Sequence, residues 1–300
     1  MQVALTRAIS PSLARCQLTH LARSPIDLLR ARAQHAAYEQ ALRSLNVTVH
    51  QLPTADNLPD SVFIEDTAIV LPELAVITRP GAESRRPETA AVAEALTPYR
   101  PLLRLQPPAT LDGGDVLVVG RTLYVGRSSR TNAAAIAGLQ TLLSPHGYRV
   151  IPVKIGGCLH LKSAATLIAD NLLLTHPGWL PSDAFPGVDR LDIDPTEPHA
   201  ANALRIGDTL LFPAHFPRTL ARLRAAGLNV LPIACDELAK AEGALTCCSL
   251  LFTAPPASTT PPAPHPPTSR SAPSPTRPPS NTPPPPAPPT PPSPASQRSA

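Results

Sequence analysis

Paired β-rich runs joined by tight turns recur along this chain. A polar loop, a helix-length stretch and a further apolar run follow most pairs. Residues 62–64 and 67–70 with 74–78 lead to a helix near 87–97 and a strand near 101–105. Val116–Val119 and Thr122–Val125 flank Gly120-Arg121 and precede a helix near 131–143 and a strand at 149–153. Thr166–Ala169 and Leu172–Thr175 flank Asp170-Asn171. Leu204–Ile206 and Thr209–Phe212 flank Gly207-Asp208, before a helix at 217–226 and a strand at 228–232. Asp-Asn and Gly-Asp suit two-residue hairpin turns because they tolerate positive φ. Units spaced by about 45–50 residues predict a closed, radially repeated α/β architecture. A doubly wound sheet fits less well, since the paired strands read as hairpins and not as parallel partners. In such a ring, strand ends converge on a central axis, where several repeats can contribute to one site. Upstream, a helix is expected near 25–45, with Ser24 as N-cap and Pro25 at its first position. Ile26, Leu29, Ala33, Ala37, Ala41 and Leu45 are assigned to its buried face.

Composition divides the chain in two. Residues 254–300 hold 20 of the 41 prolines and no acidic residue. Such a segment cannot bury enough apolar surface to offset its ordering entropy, so a disordered tail with polyproline II character is expected there. Residues 1–253 form the expected catalytic domain, large enough for one sizeable core. Removing the tail arginines Arg270, Arg277 and Arg298 lowers the net charge from +4 to +1. No basic stripe remains to suggest nucleic acid, and no apolar run reaches the ~18 residues of a membrane span. Arg7 and Arg15 interrupt any N-terminal signal-like apolar region. The five cysteines, at 16, 158, 235, 247 and 248, form no framework spacing and no C-x-x-C pair. Reduced thiols in a cytoplasmic protein are expected, without a structural zinc site.

Several residues stand out for their chemistry. Cys247 and Cys248 lie at the start of the apolar run Leu250–Phe252, where strand alternation would turn one to each face. A catalytic thiol needs a partner imidazole or a lowered pKa. His160 is a polar residue between two leucines, just after Gly156-Gly157, which lets backbone approach closely. Asp112 precedes Gly113-Gly114-Asp115 at a strand start. Asp60, Glu65 and Asp66 surround an apolar run, an arrangement that is costly when buried without partners. A guanidinium is one such partner, because its donors match carboxylates bidentately. Arg85 and Arg130 lie in polar loops before predicted helices and are candidates for holding a carboxylate.

Taken in order, Gln17–Leu21, Phe63–Thr67, Leu111–Val116, Arg130–Asn132, Leu159–Ser163 and Leu245–Ser249 resemble the motifs of the pentein superfamily. The resemblance is nearest to its dimethylarginine dimethylaminohydrolase family and runs from about residue 3 to 252. It implies a five-fold pseudo-symmetric α/β propeller, no cofactor and no metal. The implied substrate is a small methylated arginine, hydrolysed to citrulline through a covalent thiouronium, and the resemblance leaves room for a homodimer. By position, Cys247 matches the nucleophile, His160 the general acid/base and Asp112 the carboxylate beside both. Leu18 would sit in a mobile flap and offer its carbonyl to the substrate amino group, near Asp60, with a weaker main-chain contact at Ala241. Asp66, helped by Glu65, would bind the guanidinium, and Arg85 and Arg130 the α-carboxylate. Asp112 stands where some relatives carry Glu, and Cys248 where bacterial relatives commonly carry Met or Leu. An arginine deiminase or amidinotransferase is the neighbouring reading, and a non-catalytic propeller binder a third.

Overall fold

The computed structural model describes residues 1–255. The expected disordered tail lies, from residue 256 onward, outside the described residues. Among them, fifteen strands form five three-stranded sheets of one pattern: an antiparallel pair, with a third strand added parallel to the middle one. The middle strands are Gln2–Arg7, Ala75–Ile77, Thr122–Arg127, Leu172–Thr175 and Thr209–Pro213. Their parallel partners are Thr48–Leu52, Leu102–Arg104, Arg149–Lys154, Asp189–Asp192 and Asn229–Ile233. Parallel pairing demands a crossover. Helices Leu28–Ser44, Glu88–Leu96, Ala133–Leu143 and Pro217–Ala225 supply it in four units, and residues 176–188 in the remaining one.

The sheet that holds the N-terminus is completed by the far end of the domain. Leu250–Thr253 pairs antiparallel with Gln2–Arg7, in the register Val3 to Phe252. This pairing ties the first repeat to the last, so the five-fold repeat expected from the sequence is present and closed. The hairpin turns at Gly120 and Gly207 adopt φ of 58° and 55°, the left-handed region that glycine enters without steric cost.

Three local expectations are corrected. The first helix is Leu28–Ser44, capped by Asp27 and not Ser24: the Asp27 carboxylate accepts from Leu29 N at 2.9 Å and Arg30 N at 3.0 Å. Its buried face is Ala31, Gln34, His35, Tyr38, Glu39, Ala41 and Leu42, whereas Leu29 is 80% exposed and Ala33 and Ala37 face solvent. Residues 62–64 form no strand, because the chain winds into a 3-10 turn at Ile64–Thr67 that the Thr67 hydroxyl closes onto Ile64 O at 2.7 Å. The cysteine pair likewise sits in a 3-10 turn, Thr246–Cys248, ahead of the strand and outside its alternation.

Candidate active site

Loops at one set of strand starts build the site. The Ile64–Thr67 turn directs Asp66 inward, 2% exposed. Its carboxylate accepts from Gly114 N at 2.9 Å and pairs with Arg85. Gly113–Asp115 forms a second 3-10 turn, which leaves Asp112 fully buried behind His160. Both glycines there are required by close approach. A Cβ on Gly113 would lie 2.1 Å from Glu65 O, and one on Gly114 would lie 2.7 Å from His160 Nδ1 and 2.9 Å from Asp66 Oδ1. His160 precedes the short helix Leu161–Ala164, whose first amide donates to Asp115 Oδ1 at 2.9 Å. The imidazole is 5% exposed and sits between two carboxylates, with Nε2 3.0 Å from Asp112 Oδ2 and Nδ1 3.9 Å from Asp66 Oδ1.

Of the two cysteines, only Cys247 reaches the recess; Cys248 is 1% exposed, packs in the apolar core and donates to Ala244 O at 3.3 Å. Cys247 and His160 line one recess together with Gln17, Asp60, Phe63, Asp66, Arg85, Arg130, Leu159, Ala241 and Glu242. Its free volume is about 20 Å³, room for about one water. A larger cavity of about 410 Å³ shares Leu159 and Glu242 with it but contains none of the Cys247, His160 and Asp112 set.

The electrostatics of the recess follow from burial and pairing. Burial alone would lower the His160 pKa, but Asp66, the hydrogen bond that His160 donates to Asp112, and Asp115 override it and raise it to about 9. The imidazole is therefore cationic at neutral pH, with Nε2–H donated to Asp112 and Nδ1–H facing Asp66. Burial would raise Asp66, yet the His160 and Arg85 cations bring it down to about 2. Burial, with the Glu65 and Asp66 charges, pushes the Cys247 thiol well above its ordinary value. The recess thus holds a neutral thiol and an imidazolium at rest.

The remaining sequence candidates fall into two groups. Asp60, Arg130 and Ala241 line the recess. Arg130 stands 3.6 Å from Asp112 Oδ2, and its other terminal nitrogen donates to Thr19 Oγ1 at 3.3 Å. Arg85 also lines it, but its guanidinium already holds Asp66, Glu88 and the carbonyls of Asp60 and Phe63. Leu18 and Glu65 are not in the lining. Leu18 packs against the apolar core, while Glu65 pairs with Lys162 Nζ at 2.6 Å and accepts from Thr246 Oγ1 at 2.9 Å.

Other contributors carried no assigned role in the sequence reading. Asp115 is fully buried, and its pKa is raised to about 6 by burial, against the lowering effect of His160 and the Ser128 and Thr131 hydroxyls. Its place after Gly113-Gly114 was its one visible signal. Gln17 N donates to the Asp60 carboxylate at 3.0 and 3.2 Å. Glu242, at a positive φ of 58°, accepts from three successive amides, Thr19 N at 3.0 Å, His20 N at 2.5 Å and Leu21 N at 2.6 Å. Together these two carboxylates hold the segment expected to be a flap down over the recess. Asp66, Asp112 and His160 are the one group among the described residues whose donor atoms converge, within 4.8 Å, as a metal site would require. Here those atoms are engaged with one another and with Arg85, Gly81 and Gly114.

A five-sheet α/β propeller with a cysteine, a histidine and carboxylates around its recess is the architecture of the pentein class. The eukaryotic N,N dimethylarginine dimethylhydrolase family profile matches residues 22–184. The N(G),N(G)-dimethylarginine dimethylaminohydrolase of Streptomyces coelicolor is 41% identical over 82% of this chain and 95% of its own length. Its namesake from Pseudomonas aeruginosa is 34% identical over 75% of this chain and 90% of its own length. A solved structure of the latter enzyme, a cysteine-to-serine mutant complexed with citrulline, superimposes with a TM-score of 0.80 at 32% identity, covering 83% of this chain and 98% of that one. The chain belongs to the dimethylarginine dimethylaminohydrolase family.

Proposed function

We propose that this protein hydrolyses Nω-methylated L-arginine to L-citrulline and dimethylamine or methylamine, through a thiouronium on Cys247. The observation that carries the reading is the meeting of Cys247 and a cationic His160 in one acid-lined recess. Family membership supports it, since relatives named for this reaction align over most of the chain.

The recess has room for little more than a water, so the segment around Gln17–Leu21 lifts to admit substrate and returns. Asp66 then faces the planar guanidinium and fixes its plane, while Asp60 and the carbonyls of Leu18 and Ala241 take the α-amino group. Arg130 takes the α-carboxylate. Arg85 adds positive charge there while keeping Asp66 ionised and in place. The arriving cation offsets the carboxylates that hold the thiol neutral, which lowers the pKa of Cys247 when its target is in position, and the thiol proton leaves to solvent because His160 is already protonated. The thiolate attacks the central guanidinium carbon, a weak electrophile whose alignment supplies much of the rate. The C–N bond to the methylated nitrogen breaks as His160 gives that nitrogen its proton. Water, deprotonated by the now neutral His160, attacks the thiouronium carbon. Collapse of that adduct breaks the C–S bond, and its hydroxyl proton passes to the departing sulfur, which restores the neutral thiol and leaves the ureido group of citrulline. Asp112 and Asp66 keep the imidazole oriented through both proton transfers.

Among the described residues no helix is long and apolar enough to cross a membrane, and all five cysteines are free thiols, in keeping with a cytoplasmic home. Citrulline release from asymmetric dimethylarginine, monomethylarginine and arginine tests the function. The two methylated substrates are expected to be turned over and arginine far more slowly. Faster citrulline from arginine would move the chain to the deiminases. Cys247→Ser is expected to abolish turnover while citrulline still binds, and Cys248→Ser to retain most activity. The opposite outcome would reassign the nucleophile.

A further inference from the structure

The segments that carry the reacting groups are tied together by a largely buried ring of hydrogen bonds to which no reacting group belongs. At its centre is Asn202, 3% exposed, just before the strand Leu204–Ile206. Its Nδ2 donates to Lys162 O at 3.1 Å and to Thr246 Oγ1 at 2.9 Å, and its Oδ1 accepts from Thr246 N at 3.2 Å. Both amide hydrogens and the amide oxygen are thereby used. Thr246 Oγ1 in turn donates to Glu65 Oε2 at 2.9 Å, and Glu65 Oε1 accepts from Lys162 Nζ at 2.6 Å, which closes the ring. Lys162 lies two residues after His160, Thr246 one residue before Cys247 and Glu65 one residue before Asp66.

Asn202 is itself held. The Thr166 hydroxyl donates to Ala201 O at 2.9 Å and accepts from Ala203 N at 3.1 Å, clamping the backbone on either side. Burial of an amide is costly unless its polar atoms are met, so three partners drawn from the two reacting loops point to a fixed geometric task. That task is not contact with a group bound beside Cys247 and His160, because Asn202 lines the larger neighbouring cavity and not the recess. An aspartate of the same shape could not perform it, having no donor for Lys162 O.

We infer that Asn202 is a positioning residue that holds the Cys247 turn and the His160 loop in register, and so sets the approach of sulfur and imidazole to one guanidinium carbon. This rests on the function proposed above. Without the amide nitrogen, Lys162 O and Thr246 Oγ1 each lose a donor, and the three-residue turn carrying Cys247 can shift against the His160 loop. A misplacement of about 1 Å in such a constellation costs on the order of 100-fold in rate.

The test compares Asn202→Asp, Thr246→Val, Thr246→Ser and the Asn202→Asp/Thr246→Val double variant, with asymmetric dimethylarginine as substrate and melting curves to check folding. The expected result for Asn202→Asp and Thr246→Val is a fall in kcat of about 10- to 100-fold with KM within about twofold. Thr246→Ser, which keeps the hydroxyl, should recover at least about tenfold of the kcat lost in Thr246→Val. The double variant should be no worse than the more severe single, since both remove one linkage. A folded Asn202→Asp enzyme with kcat within about twofold of the parent overturns the inference, as does a loss confined to KM. Should Asn202→Asp not fold, the Thr246→Val and Thr246→Ser pair decides alone, and equal kcat in the two overturns it. Cys247→Ser, assayed alongside, separates the two readings. Turnover in that variant defeats the nucleophile assignment, whereas an inert Cys247→Ser with a fully active Asn202→Asp defeats only the role of Asn202.

Discussion

Replacing Asp112 by Asn should move the alkaline limb of the pH–rate profile toward acid. Asp112 accepts from His160 Nε2 at 3.0 Å and from Gly81 N at 2.9 Å, and it is fully buried. Asn preserves its shape and the Gly81 contact but removes its charge. The environment raises the His160 pKa from 6.5 to about 9, which is roughly 3 kcal/mol in favour of the imidazolium. Full loss of that preference would drop the protonated fraction at pH 7.5 from about 97% to about 9%, and at pH 6 only from nearly all to about three quarters. Asp66 and Asp115 remain, so these figures bound the effect. The expected deficit in kcat/KM is therefore up to about tenfold at pH 7.5 and nearly absent at pH 6. The assay is initial-rate citrulline formation from pH 6 to 10 at substrate concentrations well below KM, where kcat/KM reports groups on the free enzyme. A folded Asp112→Asn enzyme whose alkaline limb coincides with that of the parent would refute the reasoning, as would a deficit of equal size at every pH.

Two further predictions follow from paired carboxylates. Glu242→Gln should loosen the segment it holds: hydrogen exchange of the Thr19, His20 and Leu21 amides should quicken and KM rise several-fold, whereas unchanged exchange at those amides would show that Glu242 is no latch. His160, with a raised folded-state pKa, should stabilise the fold most below pH 6.5 and lose that contribution as pH climbs through about 9. The stability gap between the parent and His160→Gln, measured by urea unfolding, should thus shrink between pH 6 and pH 9.5, and a gap that widens would contradict the sign.

Architecture was legible because it rests on local signals. Hairpin turns such as Gly207-Asp208 and runs such as Val116–Val119 mark each repeat, and the order of short motifs carries the residues proposed to react. What escaped depends on partners distant in sequence. The first helix buries Gln34 and Glu39, which apolar periodicity cannot anticipate. Gln34 Nε2 donates to Asp236 at 2.7 Å, and Glu39 accepts from Thr6 at 2.6 Å and Gln51 at 2.8 Å. Residues 62–64 read as a strand run, and Cys247 and Cys248 as the entry to one, because a single 3-10 turn is too short to leave a period. Asn202 looks like an ordinary loop asparagine until Lys162 and Thr246 are brought beside it. The same holds for Arg85, whose buried pairing with Asp66 and Glu88 only the folded chain reveals.

Acid-quenched enzyme, taken during turnover of asymmetric dimethylarginine and digested for peptide mass spectrometry, tests the central claim most directly. The account predicts a substrate-derived mass on the peptide that spans Cys247 and Cys248, with fragmentation placing it on Cys247, and its disappearance in Cys247→Ser. A modification on Cys248 or Cys158, or citrulline formed by a Cys247→Ser enzyme, would contradict it.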